Sequence, residues 1–197
     1  MAAGKVCTGF SKPYVAKYSA SGGTVTYSDV QVLARGVEVS LEVESGDANN
    51  FYADNIVAET IAGQFNGGTL TLTVDGLFQD AERLILGLDA AGADGFVAYG
   101  DVNAPYLGVG FIVRYMSAGT TYYTPVVVTK CIFNAPTLEA ATQEDEIDFK
   151  TQELSATVMR DDSSDRVWKY VGTDYTTEAA AEAALQTKLG YVSPITT

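Results

Sequence analysis

The residues that could do chemistry are few and poorly matched to one another. No histidine occurs among the 197 residues, which removes the commonest general base and the commonest metal ligand together. Serine, threonine and cysteine nucleophiles therefore lack an imidazole to activate them. Cys7 and Cys131 are the only cysteines, too few for a disulfide framework and too far apart in sequence for a zinc-ligand pair. A reducing folding environment is expected, with a single Cys7 to Cys131 bridge left open. Asp161-Asp162-Ser163-Ser164-Asp165 offers oxygen atoms at alternate positions, but it lacks the glycine and the final glutamate of a calcium loop and reads as an acidic turn. Gly108-Val109-Gly110 lacks the third glycine of a dinucleotide fingerprint and sits inside an apolar strand pattern instead of opening a helix. The run Glu144, Asp145, Glu146 and Asp148 could bind a cation or pair an acid with a base. Nothing near it in sequence supplies the apolar pocket that separates the ionisation of two carboxyls, so a solvated stretch is the plainer reading. Trp168, the single tryptophan, could stack on a nucleobase; amid so much acidity it reads better as a core or contact aromatic. No catalytic residue, cofactor or metal is expected.

The charge balance narrows the partners. Twenty-five acidic residues against twelve basic ones leave a formal charge of −13, which opposes gripping a phosphate backbone. Apolar residues make up 47% of the chain, enough for a core without disulfides. No apolar run approaches a membrane span, and Met1 to Lys12 contains no apolar signal core, so neither membrane insertion nor secretion is expected.

The elements that must position these residues are mostly strands. Val37 to Glu44 alternates apolar and polar without a fault, predicting burial of Val37, Val39, Leu41 and Val43, with Glu38, Glu42 and Glu44 together on the opposite face. Thr69 to Asp75 alternates likewise, with Leu70, Leu72 and Val74 inward. Leu77 to Leu86 has helical spacing before Gly87. Further strands are predicted at Gly95 to Tyr99, Tyr106 to Met116 and Tyr122 to Asn134, where Pro125 suggests a strand start or an edge. From Glu144 to Met159 the inward phase passes from Ile147 and Phe149 to Leu154, Ala156 and Val158, predicting a break near Thr151 to Glu153. Arg166 to Val171 reads as a short strand, and Thr177 to Leu189 as an alanine-rich helix ended by Gly190. Residues 1–24 read as an N-terminal arm, 25–172 as a β domain, and 173–197 as a C-terminal helix and tail.

Several short pieces recur in a recognisable order: Phe51-Tyr52-Ala53-Asp54-Asn55 followed by Glu59; Gly67 to Leu72 running into Val74-Asp75-Gly76-Leu77; and Leu86-Gly87. They continue as Pro105-Tyr106-Leu107-Gly108-Val109-Gly110-Phe111, Lys130-Cys131-Ile132-Phe133, Ile147-Asp148-Phe149-Lys150-Thr151 and Val167-Trp168-Lys169. From about Gly36 to about Leu189 this order resembles the major tail tube protein family of siphophages, particularly the branch found in phages of low-GC Gram-positive bacteria. The chain departs from that pattern at Lys150-Thr151-Gln152, where the family usually places a proline after the threonine. The resemblance implies a mainly β (α+β) subunit, a β-sandwich with a flanking helix that contributes strands to a ring-wide inner barrel. It also implies hexameric rings stacked into a hollow tube, a tape-measure protein and tail completion proteins as partners, and a place in the virion after assembly in the host cytoplasm.

Charge and resemblance meet at the wall of such a tube, since an acidic lining lets DNA pass without specific binding. Glu38, Glu42 and Glu44 are candidates for the lumen, an outer solvated face being the alternative for all three. The loop Ser45 to Asn55 is the candidate contact between subunits or rings. Gly46, Asp47, Asn49, Asn50, Asp54 and Asn55 are turn formers, yet Phe51 and Tyr52 are large side chains that a merely solvated loop does not keep. A surface binding module of the immunoglobulin-like or adhesin kind is the competing class, because it also reads as short alternating strands.

Overall fold

A computed structural model describes residues 4–61, 63–100, 103–138 and 150–191. The chain is mainly β. Its strands are β1 (Val6–Ser21), β2 (Thr24–Val32), β3 (Gly36–Ser45), β4 (Asn49–Ala53), β5 (Ile56–Ile61), β6 (Phe65–Val74), β7 (Leu107–Ser117), β8 (Thr120–Phe133), β9 (Gln152–Met159) and β10 (Lys169–Val171), with helices α1 (Gln79–Leu86) and α2 (Glu178–Lys188). Among the described residues, eight strands form one antiparallel sheet in the order β2-β1-β7-β8-β9-β6-β3, with β10 added on β8; β4 and β5 form a separate two-stranded ribbon.

The main sheet wraps around one core. Val15, Leu70, Leu72, Val109, Val128, Leu154 and Val158 from five strands meet Ala81, Leu84 and Ile85 of α1 there. β6 and β9 supply it by strict alternation, so their inward residues are fully buried while the outward ones stay partly wet. Trp168 stacks on Phe65 at the margin of this core, with ring centroids 4.5 Å apart. Phe10 of β1 packs edge-on against Phe111, and β1 comes into contact with β3, although the two strands do not pair.

The other face of β1, β7 and β8 is covered by α2. Tyr14, Ala16, Ile112 and Val127 pack there against Ala181, Leu185 and Leu189. Gly110 makes this close approach possible, because a Cβ at that position would fall 2.7 Å from Leu185 and 2.8 Å from Leu189. Thr177 caps the helix by accepting from the Ala180 amide. Tyr14 donates to Glu182 (2.6 Å), Lys12 pairs with Glu182 (3.2 Å), and Ser11 bonds to Glu178. Burial, and next the Glu182 carboxylate, push the Tyr14 phenol up to about 12.

Several sequence expectations need correction. Of the segment 1–24 read as an arm, the described part belongs to the sheet: β1 lies between β2 and β7, and Tyr14, Val15 and Ala16 are buried. Both faces are covered along its middle, from Pro13 to Ala16, one by the core and one by α2, so the sequence there does not alternate. The left-handed backbone at Lys12 (φ 54°) and the register shift between Ser11 and Tyr14 break the phase further. β2 was not anticipated either. Gly95 to Tyr99 forms no strand; its start belongs to a turn in which the Gly92 amide donates to Phe96. α1 begins at Gln79, two residues later than the spacing predicts, and the Leu77 amide donates instead to Gln152. The short strand predicted from Arg166 begins only at Lys169. Pro125 lies inside β8, opposite Ile112 of β7. Its carbonyl accepts from Gly172, so its missing N–H falls on that irregular side and costs the β7 ladder nothing. Cys7 is exposed, Cys131 is buried, and both are free thiols. The acidic run at 144–148 and the inward residues Ile147 and Phe149 lie outside the described residues.

Candidate assembly surfaces

The segment from Ser45 to Asn55 is not a loop but the first half of a hairpin. β3 and β6 stop at a neck where the Gly46 amide donates to the Gln64 carbonyl (2.9 Å). Gly63 is required there, since a Cβ on it would lie 1.6 Å from the Gly46 carbonyl oxygen. Beyond the neck, Asp47 is exposed and β4 pairs with β5: Asn50 faces Thr60, Phe51 faces Glu59, Tyr52 faces Val57 and Ala53 faces Ile56. Thr60 donates to the Asn50 side chain (2.8 Å). Asp54 and Asn55 both take left-handed φ (52° and 64°), the pair of conformations a tight two-residue hairpin turn requires and that Asp and Asn tolerate. Every residue from Asn49 to Thr60 is exposed.

That exposure is chemically odd. Phe51 (65%), Tyr52 (63%), Ile56 (66%) and Val57 (48%) leave large apolar surface in water, on a two-stranded ribbon of the kind that is marginal in isolation. Sequence reasoning found Phe51 and Tyr52 and the turn formers around them. It missed Ile56 and Val57, although Asp54-Asn55 between apolar residues is itself a hairpin signal.

The second surface is the outward face of β3, β6 and β9. Glu38 stands opposite Thr73, which stands opposite Glu153; Ser40, Thr71 and Ser155 form the next row, and Glu42, Thr69 and Thr157 the next. Glu44 pairs with Gly67 at the end near the neck. The three predicted glutamates therefore share one face, and the outward residues in these rows include no lysine or arginine. Their apolar partners behave less simply than the alternation predicts. Val39 and Leu41 pack against the core, whereas Val37 and Val43 are exposed (56% and 45%). The register shift between Gly36 and Glu38 displaces Val37, and β3 has no strand partner on its outer side among the described residues. The neighbours Thr69, Thr71, Thr73, Glu153, Ser155 and Thr157 were not assigned to this face from sequence, because strand order joins them and strand order is not local.

The Asp161 to Asp165 segment folds on itself. Asp161 is buried, and its Oδ1 accepts from the Ser163 amide (3.2 Å) and hydroxyl (2.5 Å). Asp162 accepts from Lys130 (2.7 Å) and Tyr18 (2.8 Å); the Lys130 hydrogen bond, then that of Tyr18, hold its carboxyl below the usual range. Among the described residues, no group of three or more His, Cys, Asp or Glu side chains is placed to hold a metal ion, and no helix is long and apolar enough to cross a membrane. The chain matches no protein-family model and no curated protein sequence.

Proposed function

We propose that this chain is the major tail tube subunit of a long-tailed bacteriophage, a non-enzymatic virion protein that stacks as hexameric rings into a conduit for DNA. The carrying observation is the juxtaposition on one strand pair: β3 and β6 present a cation-free acidic and hydroxyl face, then continue directly into an exposed apolar hairpin. A conduit subunit needs both. The acidic face suits a wall along which phosphates must slide without sticking, and the hairpin suits attachment to the next subunit. Among the described residues no strand pairs with the outer side of β3, and that edge suits addition of a neighbouring strand, extending the wall around a ring. The tape-measure and tail completion proteins follow from the resemblance of the sequence to tail tube proteins. Negative-stain electron microscopy of the purified protein at rising concentration tests the reading. Rings or hollow tubes support it; compact monomers at every concentration refute it and favour a surface binding module.

A further inference from the structure

Between β10 and α2 lies an apolar cleft of about 260 Å³, lined by Pro125, Val127, Val171, Tyr175, Leu185 and Lys188, among others. Val171 is 59% exposed at its rim. Lys188 lies with its Nζ 3.6 Å from the centroid of the Tyr170 ring and makes no ion pair among the described residues, unlike Lys5, Lys12, Lys17 and Lys130. The cleft is thus an apolar slot with one cation at its mouth.

The β4–β5 hairpin has the opposite character. It exposes Phe51, Tyr52, Ile56 and Val57, and its charged residues from Asn49 to Ile61 are Asp54 and Glu59, with no lysine or arginine. Building on the self-assembly reading above, we propose that the β10–α2 cleft is the receptor for the β4–β5 hairpin of a second copy, apolar side chains filling the slot and a hairpin carboxylate meeting Lys188. The two other strongly exposed phenylalanines, Phe78 (82%) and Phe96 (77%), fit this role poorly: Asp80 and Glu82 follow Phe78 in the first turn of α1, and Asp94 accepts from the Phe96 amide, so both places repel an acidic hairpin. Donor and receptor come from separate stretches of chain, so one copy can give and receive at once. Such a head-to-tail contact closes into a ring or propagates as a stack.

The test uses two full-length variants. Phe51→Ser with Tyr52→Ser removes the donor; Val171→Asp with Lys188→Glu makes the receptor acidic at two exposed positions. Sedimentation velocity is run on each alone and on an equimolar mixture, at a concentration where the unaltered protein associates. The expected result is that each variant alone is monomeric and that the mixture forms a one-to-one dimer, the intact receptor of one holding the intact hairpin of the other. A receptor variant that associates like the unaltered protein, or a mixture that stays monomeric, overturns the inference and leaves the tube reading standing. An unaltered protein that never associates overturns both. Should the receptor variant lose its folded circular dichroism, Lys188→Glu alone replaces it. Association should then weaken by about tenfold and recover when Asp54→Lys and Glu59→Lys are added; no weakening, or no recovery, overturns the inference.

Discussion

If the subunit self-assembles as proposed, replacing Phe51 and Tyr52 together by serine should abolish assembly at concentrations where the unaltered protein polymerises, while leaving the subunit folded. Fully burying a side chain of this size stabilises by about 1.5–3 kcal/mol. Phe51 is 65% and Tyr52 63% exposed, so the surface still open on each corresponds to about 1–2 kcal/mol, or about 2–4 kcal/mol for the pair, if a neighbour covers both. At about 1.4 kcal/mol per factor of ten, the critical concentration should rise between about 30-fold and about 700-fold. It is read by pelleting assembled material across a dilution series and measuring the soluble protein that remains. Neither ring touches the cores that hold the sheet and α2, so near-ultraviolet circular dichroism outside the lost tyrosine and the melting temperature should hardly change. An unchanged critical concentration with a folded subunit refutes the reasoning, because the exposed rings would then be idle.

On the proposed tail-tube reading, converting Glu38, Glu42 and Glu44 to lysine should leave tails that assemble but release DNA slowly at low salt and faster at high salt, as new phosphate contacts form and shed counterions; normal ejection kinetics at both salts would place these residues on an outer solvated face. Leu185→Ala removes a fully buried anchor of α2 and should cost about 2–5 kcal/mol in urea unfolding, whereas a loss under about 1 kcal/mol would mean that α2 is held by its polar contacts to β1. Asp162, beside Lys130, and Asp174, beside Thr124 and Lys5, have carboxyls held below the usual range. Their folded values are depressed, so the stability they contribute is present above the ordinary carboxylate pKa of about 3.9 and lost as pH falls through the lower folded values. Asp162→Asn with Asp174→Asn should therefore flatten the acid limb of a melting-temperature profile, and an unaltered limb would count against it. Gly63→Ala should disrupt the hairpin neck, where the added carbon meets the Gly46 carbonyl, and should raise protease cleavage between residues 45 and 64; an unchanged digestion pattern would show that the neck relaxes freely.

The sequence by itself determined the elements whose chemistry is local. Strict alternation in β6 and β9 fixes which residues face inward, because side chains on a strand alternate whatever lies beyond. The shared outward face of Glu38, Glu42 and Glu44, the helix ended by Gly87 and the helix capped by Thr177 were legible for the same reason. The absence of histidine and the excess of acid needed no structure at all.

What only the tertiary structure decided is what lies on the second side of each element. β1 reads as an arm because one of its faces meets the core and the other meets α2, so burial of consecutive residues from Pro13 to Ala16 replaces alternation. Val37 and Val43 read as core yet are exposed, because β3 has no outer strand partner among the described residues and its ends are out of register. The hairpin reads as a loop because Ile56 and Val57 gain meaning only when paired with Ala53 and Tyr52. The slot between β10 and α2 joins residues from 125 to 188 that no local pattern connects. Periodicity records a residue's own orientation; strand order and helix docking decide what that orientation meets, and these depend on contacts distant in sequence.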